Sequence, residues 1–264
     1  MIEIKNLKTG YHVSGHEKIV GNDLNAELKK GELTCLIGPN GSGKSTLLRT
    51  IASFMPKLDG EILIDGRNLD DFSASELSRL ISIVLTDNSS IHNLSVFDVV
   101  SMGRMPYTGF WGYLNARDRQ IVDDCLEMVG VKHLASHMID ALSDGERQKV
   151  MIAKAIAQQT PVILLDEPTA FLYYPNKVAV VLLLRKLAHE MNKTILLSIH
   201  DIDIALQIAD NIWMIEDDGK LIVGDPAQLC DSGIIARHIV NDNIEFDKEG
   251  RTFYVKAKWG FGVK

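Results

Sequence analysis

Residues 38–45 read GPNGSGKS, and this stretch decides the fold. It matches G-x-x-x-x-G-K-[ST], a glycine-rich loop whose backbone N–H groups surround a polyphosphate. The buried-strand pattern ELTCLI precedes it, and apolar residues at helical spacing predict a helix from Lys44 to Met55, before Pro56. That helix would aim its N-terminal N–H groups at the anion, with Lys44 on the β- and γ-phosphates and the Ser45 hydroxyl on a magnesium ion. The alternative is a glycine turn with a surface lysine, and the flanking strand and helix argue against it.

Two carboxylates follow a second buried-strand pattern. In VILLDE the strand delivers Asp166 and Glu167 to the carboxyl end of the sheet, where the ligand sites of α/β folds lie. Asp166 would hold Mg²⁺ through water, and Glu167 would polarise an attacking water. His200 ends the next apolar run, TILLSIH, so parallel pairing of the two runs predicts the imidazole at the same edge, within reach of a γ-phosphate. The alternatives are a solvated acidic turn and a histidine that only forms structural hydrogen bonds.

The order of the patterns predicts an α/β domain with an inserted helical lobe. VILLD and TILLSIH are short apolar runs typical of a parallel sheet, and a helix from about Pro175 to Met191 separates them. Residues 89–159 are helical in pattern and form the predicted insertion. IEIKNL alternates like an edge strand, and NIWMIEDDGKLIVG predicts a hairpin with Asp218 and Gly219 at its turn.

The composition indicates a folded domain in a reducing compartment. The 264 residues are 46% hydrophobic, and the net charge of -7 argues against a protein that binds nucleic acid through its phosphates. Cys35, Cys125 and Cys230 have neither metal-site spacing nor a disulfide framework. The N-terminus lacks a signal-peptide pattern and the run VAVVLLL is much shorter than a membrane span, so we expect a soluble chain.

Residues 142–148, LSDGERQ, stand where the ATP-binding subunits of ABC transporters have their signature LSGGQ. With the phosphate loop, the acidic pair and the histidine in the same order, nearly the whole chain resembles that family. The resemblance implies an α/β P-loop NTPase with a RecA-like core, an antiparallel β-subdomain and an inserted helical subdomain. It implies a single ABC ATPase domain over residues 1–264, with the helical subdomain at about 89–159 and a C-terminal extension at about 225–264.

In this family two subunits enclose two ATP molecules, and the resemblance assigns residues to four sets. The catalytic residues are Glu167, His200 and Lys44. The ATP-binding residues are Tyr11, Gly38, Pro39, Asn40, Gly41, Ser42, Gly43, Lys44, Ser45 and Thr46. The Mg²⁺ ligands are Ser45, Asp166 and Thr86. The signature residues, which cap the γ-phosphate bound to the other copy, are Ser143, Asp144, Gly145 and Glu146. Tyr11 would stack on adenine, and the alternative for it is a core or surface tyrosine.

Residues 95–131, notably GRMPY, and DEPTAFL at 166–172 are similar to the importer ATPases for iron–siderophore complexes, haem and cobalamin. The resemblance implies ATP and Mg²⁺ as cofactors, and it implies that nucleic acid is not a partner. It implies as partners a second copy of the chain, transmembrane permease subunits and, indirectly, a substrate-binding protein. The location implied is peripheral, on the cytoplasmic face of the plasma membrane. We expect the helical lobe to dock on the permease, with Thr86 and the aromatic-rich segment from Ser101 to Tyr113 near the contact; core packing is the alternative for that segment.

Three positions depart from the family pattern. Asp144 replaces a signature glycine, where its carboxylate would cap the helix start and repel a triphosphate. Thr86 replaces a glutamine that touches Mg²⁺ and the attacking water, and Tyr173 replaces an aspartate of the loop that crosses the dimer interface. A low-turnover regulator that binds ATP is therefore an alternative to an import ATPase. A soluble ABC protein that acts on DNA or ribosomes is a third, which the acidic composition disfavours.

Overall fold

The computed structural model describes residues 1–13, 16–85, 91–109, 111–170, 172–240 and 243–256. The strands in these ranges are β1 (Ile2–Val13), β2 (His16–Leu28), β3 (Leu33–Ile37), β4 (Asp59–Ile64), β5 (Arg67–Asn68), β6 (Ile81–Val84), β7 (Val162–Leu165), β8 (Thr194–Ser198), β9 (Asn211–Ile215), β10 (Leu221–Gly224), β11 (Ile244–Asp247) and β12 (Thr252–Val255). The α-helices are α1 (Lys44–Ile51), α2 (Ala74–Leu80), α3 (Val96–Ser101), α4 (Ala116–Met128), α5 (Asp144–Ala157), α6 (Tyr174–Met191), α7 (Ile202–Ile208), α8 (Pro226–Asp231) and α9 (Ile234–Ile239).

A six-stranded sheet in the order β10-β9-β3-β8-β7-β6 forms the centre of the molecule. Its strands run parallel except β10, which returns antiparallel to β9 through the predicted hairpin, with Gly219 at φ +80. Every residue of β3, β7 and β8 is buried, which explains why these strands are continuous apolar runs. The parallel register brings the carboxyl ends of these three strands side by side, where the loops with the charged residues begin.

A four-stranded antiparallel sheet in the order β2-β1-β4-β5 shares a hydrophobic core with α1 and one face of the central sheet. The prediction of an edge strand for IEIKNL is wrong, because β1 pairs with β2 on one side and with β4 on the other. Its alternation arises because Ile2 and Ile4 are buried in that core while Glu3 between them is more exposed. The edge strands of this sheet are β2 and β5.

The helices α3, α4 and α5 of the inserted region pack against one another and against the opposite face of the central sheet. A buried ion pair links the turn after α3 to α4, with Arg104 Nε donating to Asp118 Oδ1 at 3.0 Å. A Cβ at Gly103 would lie 2.3 Å from the Lys154 carbonyl oxygen, so only glycine permits this turn to approach α5 so closely. Gly103 and Arg104 are therefore packing residues of the segment predicted to contact the permease. The subdomain boundaries near 89 and 159 remain a prediction.

The first helix is shorter than the predicted range from Lys44 to Met55. Ser53 adopts φ +61, and the N–H groups of Phe54 and Met55 both donate to the Arg49 carbonyl. These bonds satisfy the end of α1 and turn the chain away after Ile51. The proline at 56 is therefore not what ends the helix.

The chain after β10 continues into α8, α9 and the β11–β12 hairpin. This extension contacts the core through α7, where the N–H of Phe253 donates to Asp203 Oδ1 at 3.1 Å. Near the end of the predicted C-terminal extension, Phe253 to Val255 belong to β12, and residues 257–264 lie outside the described residues. Within the part of the chain that the structure describes, no helix has the length and apolarity needed to cross a membrane.

Candidate active site

The phosphate loop joins β3 to α1 in a geometry that its glycines permit. Gly43 is the N-cap of α1 at φ +99, a left-handed conformation that other residues rarely adopt, and a Cβ there would lie 3.2 Å from Val20. Gly38 follows β3, and its Cβ would lie 2.6 Å from the Ile215 carbonyl oxygen. Glycine therefore lets the loop lie against β2 and β9 and lets α1 begin directly at Lys44.

Lys44 is only 5% exposed, and its ammonium group bonds to the loop itself. Its Nζ donates to the carbonyls of Gly38 at 2.8 Å and Pro39 at 2.9 Å. Burial lowers the pKa of Lys44, while the nearby carboxylates of Glu167 and Asp166 raise it by a smaller amount. Two of the three ammonium protons are thus directed at carbonyl oxygens of the loop itself.

Asp166 follows β7 and is 2% exposed. Its Oδ1 accepts hydrogen bonds from two hydroxyls, that of Ser45 at 3.0 Å and that of Ser198 at 2.9 Å. Carboxylate and hydroxyl oxygens are the donors that Mg²⁺ prefers, so Ser45 and Asp166 fit this ion. Thr86, the third predicted ligand, lies outside the described residues.

Glu167 and His200 are in direct contact, with His200 Nε2 2.6 Å from Glu167 Oε1. Glu167 has φ +48, and its N–H donates to Ser198 Oγ at 2.8 Å. The strand β8 ends at Ser198, so His200 lies two residues beyond the strand rather than at its end. The parallel pairing of β7 with β8 nevertheless brings the imidazole to the carboxylate, as the sequence predicts.

Most of the predicted ATP-binding residues line one cleft of about 200 Å³. Its lining is Tyr11, Val20, Asn40, Gly41, Gly43, Lys44, Ser45, Thr46 and Glu167. Gly38 and Pro39 line a different cavity of about 310 Å³, and Ser42 lines a third pocket. The predicted ATP-binding residues therefore do not all line the same cleft. Tyr11 is half-buried at the cleft, with the Lys18 ammonium 5.6 Å from its ring centroid. Sequence reasoning missed Val20, because one apolar residue in a strand carries no signal of its own.

The signature residues begin α5 and do not line the cleft of their own chain. Ser143 is the N-cap, and its Oγ accepts from the Glu146 N–H at 3.4 Å while donating to Glu146 Oε2 at 2.7 Å. The prediction that Asp144 caps this helix is therefore wrong, because Ser143 and Glu146 already form a reciprocal capping box. The Ser143 hydroxyl and N–H lower the pKa of Glu146. Asp144 is exposed in the first turn.

Tyr173, the third departure from the family pattern, is the N-cap of α6 and is 76% exposed. Its side chain makes no capping hydrogen bond, whereas an aspartate there would accept one from the helix N-terminus. The neighbouring Tyr174 is 59% exposed. The start of α6 therefore presents two aromatic rings to solvent.

A groove of about 470 Å³ lies between α2 and α5. Phe54 at its edge is 63% exposed, and Lys154 lies half-buried in it, where burial lowers the pKa of its ammonium group. The other residues that line it are Ala52, Ser53, Phe72, Ala74, Leu77, Ser78, Ile81, Ile83 and Gln158. The groove combines apolar walls with one cation.

The segment predicted to contact the permease is largely exposed beyond Arg104. Met105, Trp111 and Tyr113 are 67%, 78% and 80% exposed. The Arg79 guanidinium of α2 donates to the Pro106 carbonyl at 2.9 Å, which ties the segment to the helix beside the groove. Ordinary core packing therefore explains Gly103 and Arg104 but not these three side chains.

Comparison with known protein sequences supports the motif reading. The family model described as ABC transporter matches residues 21–170. An uncharacterized ABC transporter ATP-binding protein of Methanocaldococcus jannaschii is 40% identical over 242 residues, which cover 92% of this chain and 80% of that protein. A petrobactin import ATP-binding protein of Bacillus anthracis is 34% identical over 234 residues, covering 89% of this chain and 84% of that protein.

Two solved structures share the fold over most of their length. A dimeric ATP-binding cassette in a post-hydrolysis state, bound to ADP and Pi, superposes with a TM-score of 0.77 at 29% identity, covering 86% of this chain and 99% of that chain. A metal-chelate type ABC transporter in an inward-facing conformation superposes with a TM-score of 0.76 at 27% identity, covering 96% of this chain and 94% of that chain.

Proposed function

The chain belongs to the ABC transporter family and is an ATP-binding ATPase, and from that premise we propose that it powers an importer for iron–siderophore or related metal-chelate complexes. ATP binding closes a dimer of two copies, hydrolysis reopens it, and a membrane permease converts this cycle into alternating access. The cleft is the observation that supports the proposal most, because it gathers the phosphate loop, Lys44, Ser45 and Glu167 at one sheet edge.

Glu167 is the proposed general base. Its carboxylate accepts a proton from a water molecule that attacks the γ-phosphate in line, and ADP and inorganic phosphate leave. His200 Nε2, 2.6 Å from Glu167 Oε1, orients that carboxylate and can contact the γ-phosphate. Lys44 and the N-terminus of α1 stabilise the negative charge that develops on the phosphates.

Ser45 and Asp166 are the proposed Mg²⁺ ligands, with Asp166 acting through a water molecule. Their oxygens are 3.0 Å apart, and both are hard donors. When bound, the ion neutralises charge on the β- and γ-phosphates. Thr86 is a further proposed contact, outside the described residues.

The signature is proposed to act in trans, on the nucleotide of the other copy. Its residues start a helix of 14 residues, whose N-terminus attracts an anion. The Asp144 and Glu146 carboxylates in the first turn oppose that attraction. We therefore expect a weaker hold on the partner's γ-phosphate than a glycine-rich signature provides.

The proposed permease contact consists of the groove between α2 and α5 together with Met105, Trp111 and Tyr113. Exposed apolar side chains beside a groove are typical of an interaction surface. Docking there would hold the chain peripherally at the cytoplasmic face of the membrane. The proposal that the cargo is a metal chelate is supported by relatives such as the petrobactin import protein.

A low-turnover regulator that binds ATP is the second candidate function. Tyr173 favours it, because its exposed phenol cannot supply the carboxylate that an aspartate would offer across a dimer. The two candidates differ in turnover rather than in ATP binding. An importer subunit should be accelerated by its permease to a typical enzymatic rate, about 1 s⁻¹ or more, whereas a regulator should not.

The test of the ATPase assignment is Glu167→Gln. We expect this variant to bind ATP normally, to hydrolyse it about 10²–10⁴ times more slowly, and to accumulate as a closed dimer. Nucleotide titration, steady-state phosphate release and light scattering measure the three properties. Glu127→Gln, which changes an exposed glutamate on α4, is the matched control. Unchanged turnover in Glu167→Gln would mean that another residue is the general base.

A further inference from the structure

We infer that Ser198 is a positioning residue for ATP hydrolysis, because its hydroxyl connects the proposed metal ligand to the backbone of the proposed general base. The inference rests on the proposed roles of Asp166 and Glu167. Ser198 is the last residue of β8 and is fully buried in a strand that is otherwise apolar after Thr194. A buried hydroxyl in such a strand is unfavourable unless it is hydrogen-bonded, so its partners indicate what it does.

The two hydrogen bonds of Ser198 have a single consistent direction. An ionised carboxylate only accepts, so the Ser198 hydroxyl donates its one proton to Asp166 Oδ1 at 2.9 Å. A lone pair of the same oxygen accepts the Glu167 N–H at 2.8 Å. One atom therefore orients the Asp166 carboxylate and holds the peptide that carries the Glu167 side chain.

The strand register explains why position 198 can do this. Leu165 pairs with Leu197 across β7 and β8, so the next residue along β8 lies level with Asp166. On its other side Ser198 pairs with Leu36, one residue before the end of β3 and two before the phosphate loop. Ser198 thus lies between the acidic pair and the strand that leads into the phosphate loop.

Glu167 needs such a contact because its backbone conformation is unfavourable. A residue with a Cβ at φ +48 persists only where its surroundings hold it. The bond from its N–H to Ser198 is one such restraint, and the bond from the Ala170 N–H to the Glu167 carbonyl at 3.1 Å is another. The same turn directs the Glu167 carboxylate to His200, at 2.6 Å.

Ser198→Ala tests the inference by removing the hydroxyl alone. We expect kcat to fall about tenfold, the effect of losing one hydrogen bond to a charged group, with KM for ATP changed by less than about twofold. We also expect faster hydrogen exchange at the Glu167 amide in protein without nucleotide or metal, because that N–H loses its acceptor. The exchange measurement does not depend on catalysis.

Thr194→Val is the matched control. Thr194 begins the same strand, is 1% exposed, and its buried hydroxyl has no hydrogen-bond partner among the residues that the structure describes. This nearly isosteric change removes a hydroxyl far from the acidic pair, so kcat and exchange at Glu167 should stay at the wild-type values. Ser198→Cys fills the site with a weak donor and should lose kcat as Ser198→Ala does.

The outcomes separate this inference from the proposed function. A wild-type protein without ATP turnover would contradict the proposed function. If the wild-type protein hydrolyses ATP and Ser198→Ala has the same kcat, the positioning role is overturned while the proposed function stands. If Ser198→Ala and Ser198→Cys lose only thermal stability, or if both fail to fold, Ser198 is a packing residue. Either result would also overturn the positioning role.

Discussion

The surroundings of Lys44 hold its ammonium group in a position to bind an anion. Its ammonium is buried at the centre of the phosphate loop, where the carbonyls of Gly38 and Pro39 accept two of its protons. Burial lowers its pKa, because a charge with few water contacts is less stable. A phosphate that displaces these carbonyls therefore offers the cation a stronger, charged partner.

We predict that Lys44→Ala abolishes tight ATP binding, because Lys44 is the only cationic side chain of the loop. Titration with a fluorescent ATP analogue measures the affinity. Lys132→Ala, an exposed lysine after α4, is the control and should bind as the wild type does. Affinity retained within about threefold in Lys44→Ala, about 0.65 kcal/mol, would contradict the assignment of the loop.

The ring of Tyr173 leads to a second prediction at this scale. Tyr173→Asp should raise the turnover of the assembled complex several-fold and leave ATP affinity unchanged, because it supplies a carboxylate at the start of α6, where the family has one. The same carboxylate can cap α6, which would stabilise the helix by about 1 kcal/mol. Steady-state ATPase rates with and without the permease measure the effect.

Tyr174→Asp, one residue further along, is the control because it adds the same charge inside the first turn. A Tyr173→Asp variant that is no faster, or that loses ATP affinity, would make Thr86 or Asp144 the more important departure.

At the scale of elements, a histidine of α9 bonds to the residue that follows β9, in addition to the packing of the buried Ile235 against the core. His238 Nδ1 lies 2.8 Å from the Ile234 carbonyl oxygen and Nε2 lies 2.7 Å from Glu216 Oε1. An imidazolium donates to both acceptors at once. The hydrogen bond to the Ile234 carbonyl raises the pKa of His238 most, burial lowers it by less, and Glu216 raises it again, partly offset by the Arg237 charge, so that the pKa lies above 6.5.

This arrangement predicts a pH-dependent stability. A raised pKa in the folded state means that the stabilisation is fully present below about pH 6.5 and is lost as the pH rises through the folded value. His238→Gln should therefore lower Tm at about pH 6 and have little effect at about pH 8.5. Thermal unfolding at the two pH values measures this. His137→Gln, an exposed histidine, is the control, and an equal loss at both pH values would contradict the linkage.

At the scale of the whole molecule, the groove and the exposed segment beside it form one surface away from the nucleotide cleft. We predict that cysteines at Met105 and Trp111 form crosslinks to the cytoplasmic loops of the permease, because both side chains are exposed. The native Cys35, Cys125 and Cys230 are buried and should not compete. Mass spectrometry of the crosslinked complex identifies the partner residues.

Lys5→Cys, on an exposed position of β1, is the control for this experiment and should form no crosslink. Crosslinks from Lys5→Cys alone would assign the permease contact to the antiparallel sheet instead.

The sequence by itself determined the features that depend on residues close together along the chain. The glycine loop, the buried strands and the strand-end position of Asp166 follow from local patterns, because backbone freedom and apolar periodicity act over a few residues. The contact between Glu167 and His200 was also predictable, since parallel strands end at the same edge. The capping box was predictable too, because Ser143 and Glu146 have the spacing S-x-x-E.

Only the tertiary structure decided which distant segments become neighbours. The interior place of β1 depends on pairing with both β2 and β4, and IEIKNL alternates in the same way at an edge or in the interior. Val20 reaches the cleft, and His238 reaches Glu216, through contacts between residues far apart in the chain. Ser198 is one hydroxyl in an apolar run, and its two bonds exist because the register of β7 and β8 sets it level with Asp166. Long-range contacts of this kind form when the whole chain packs, so no local pattern encodes them.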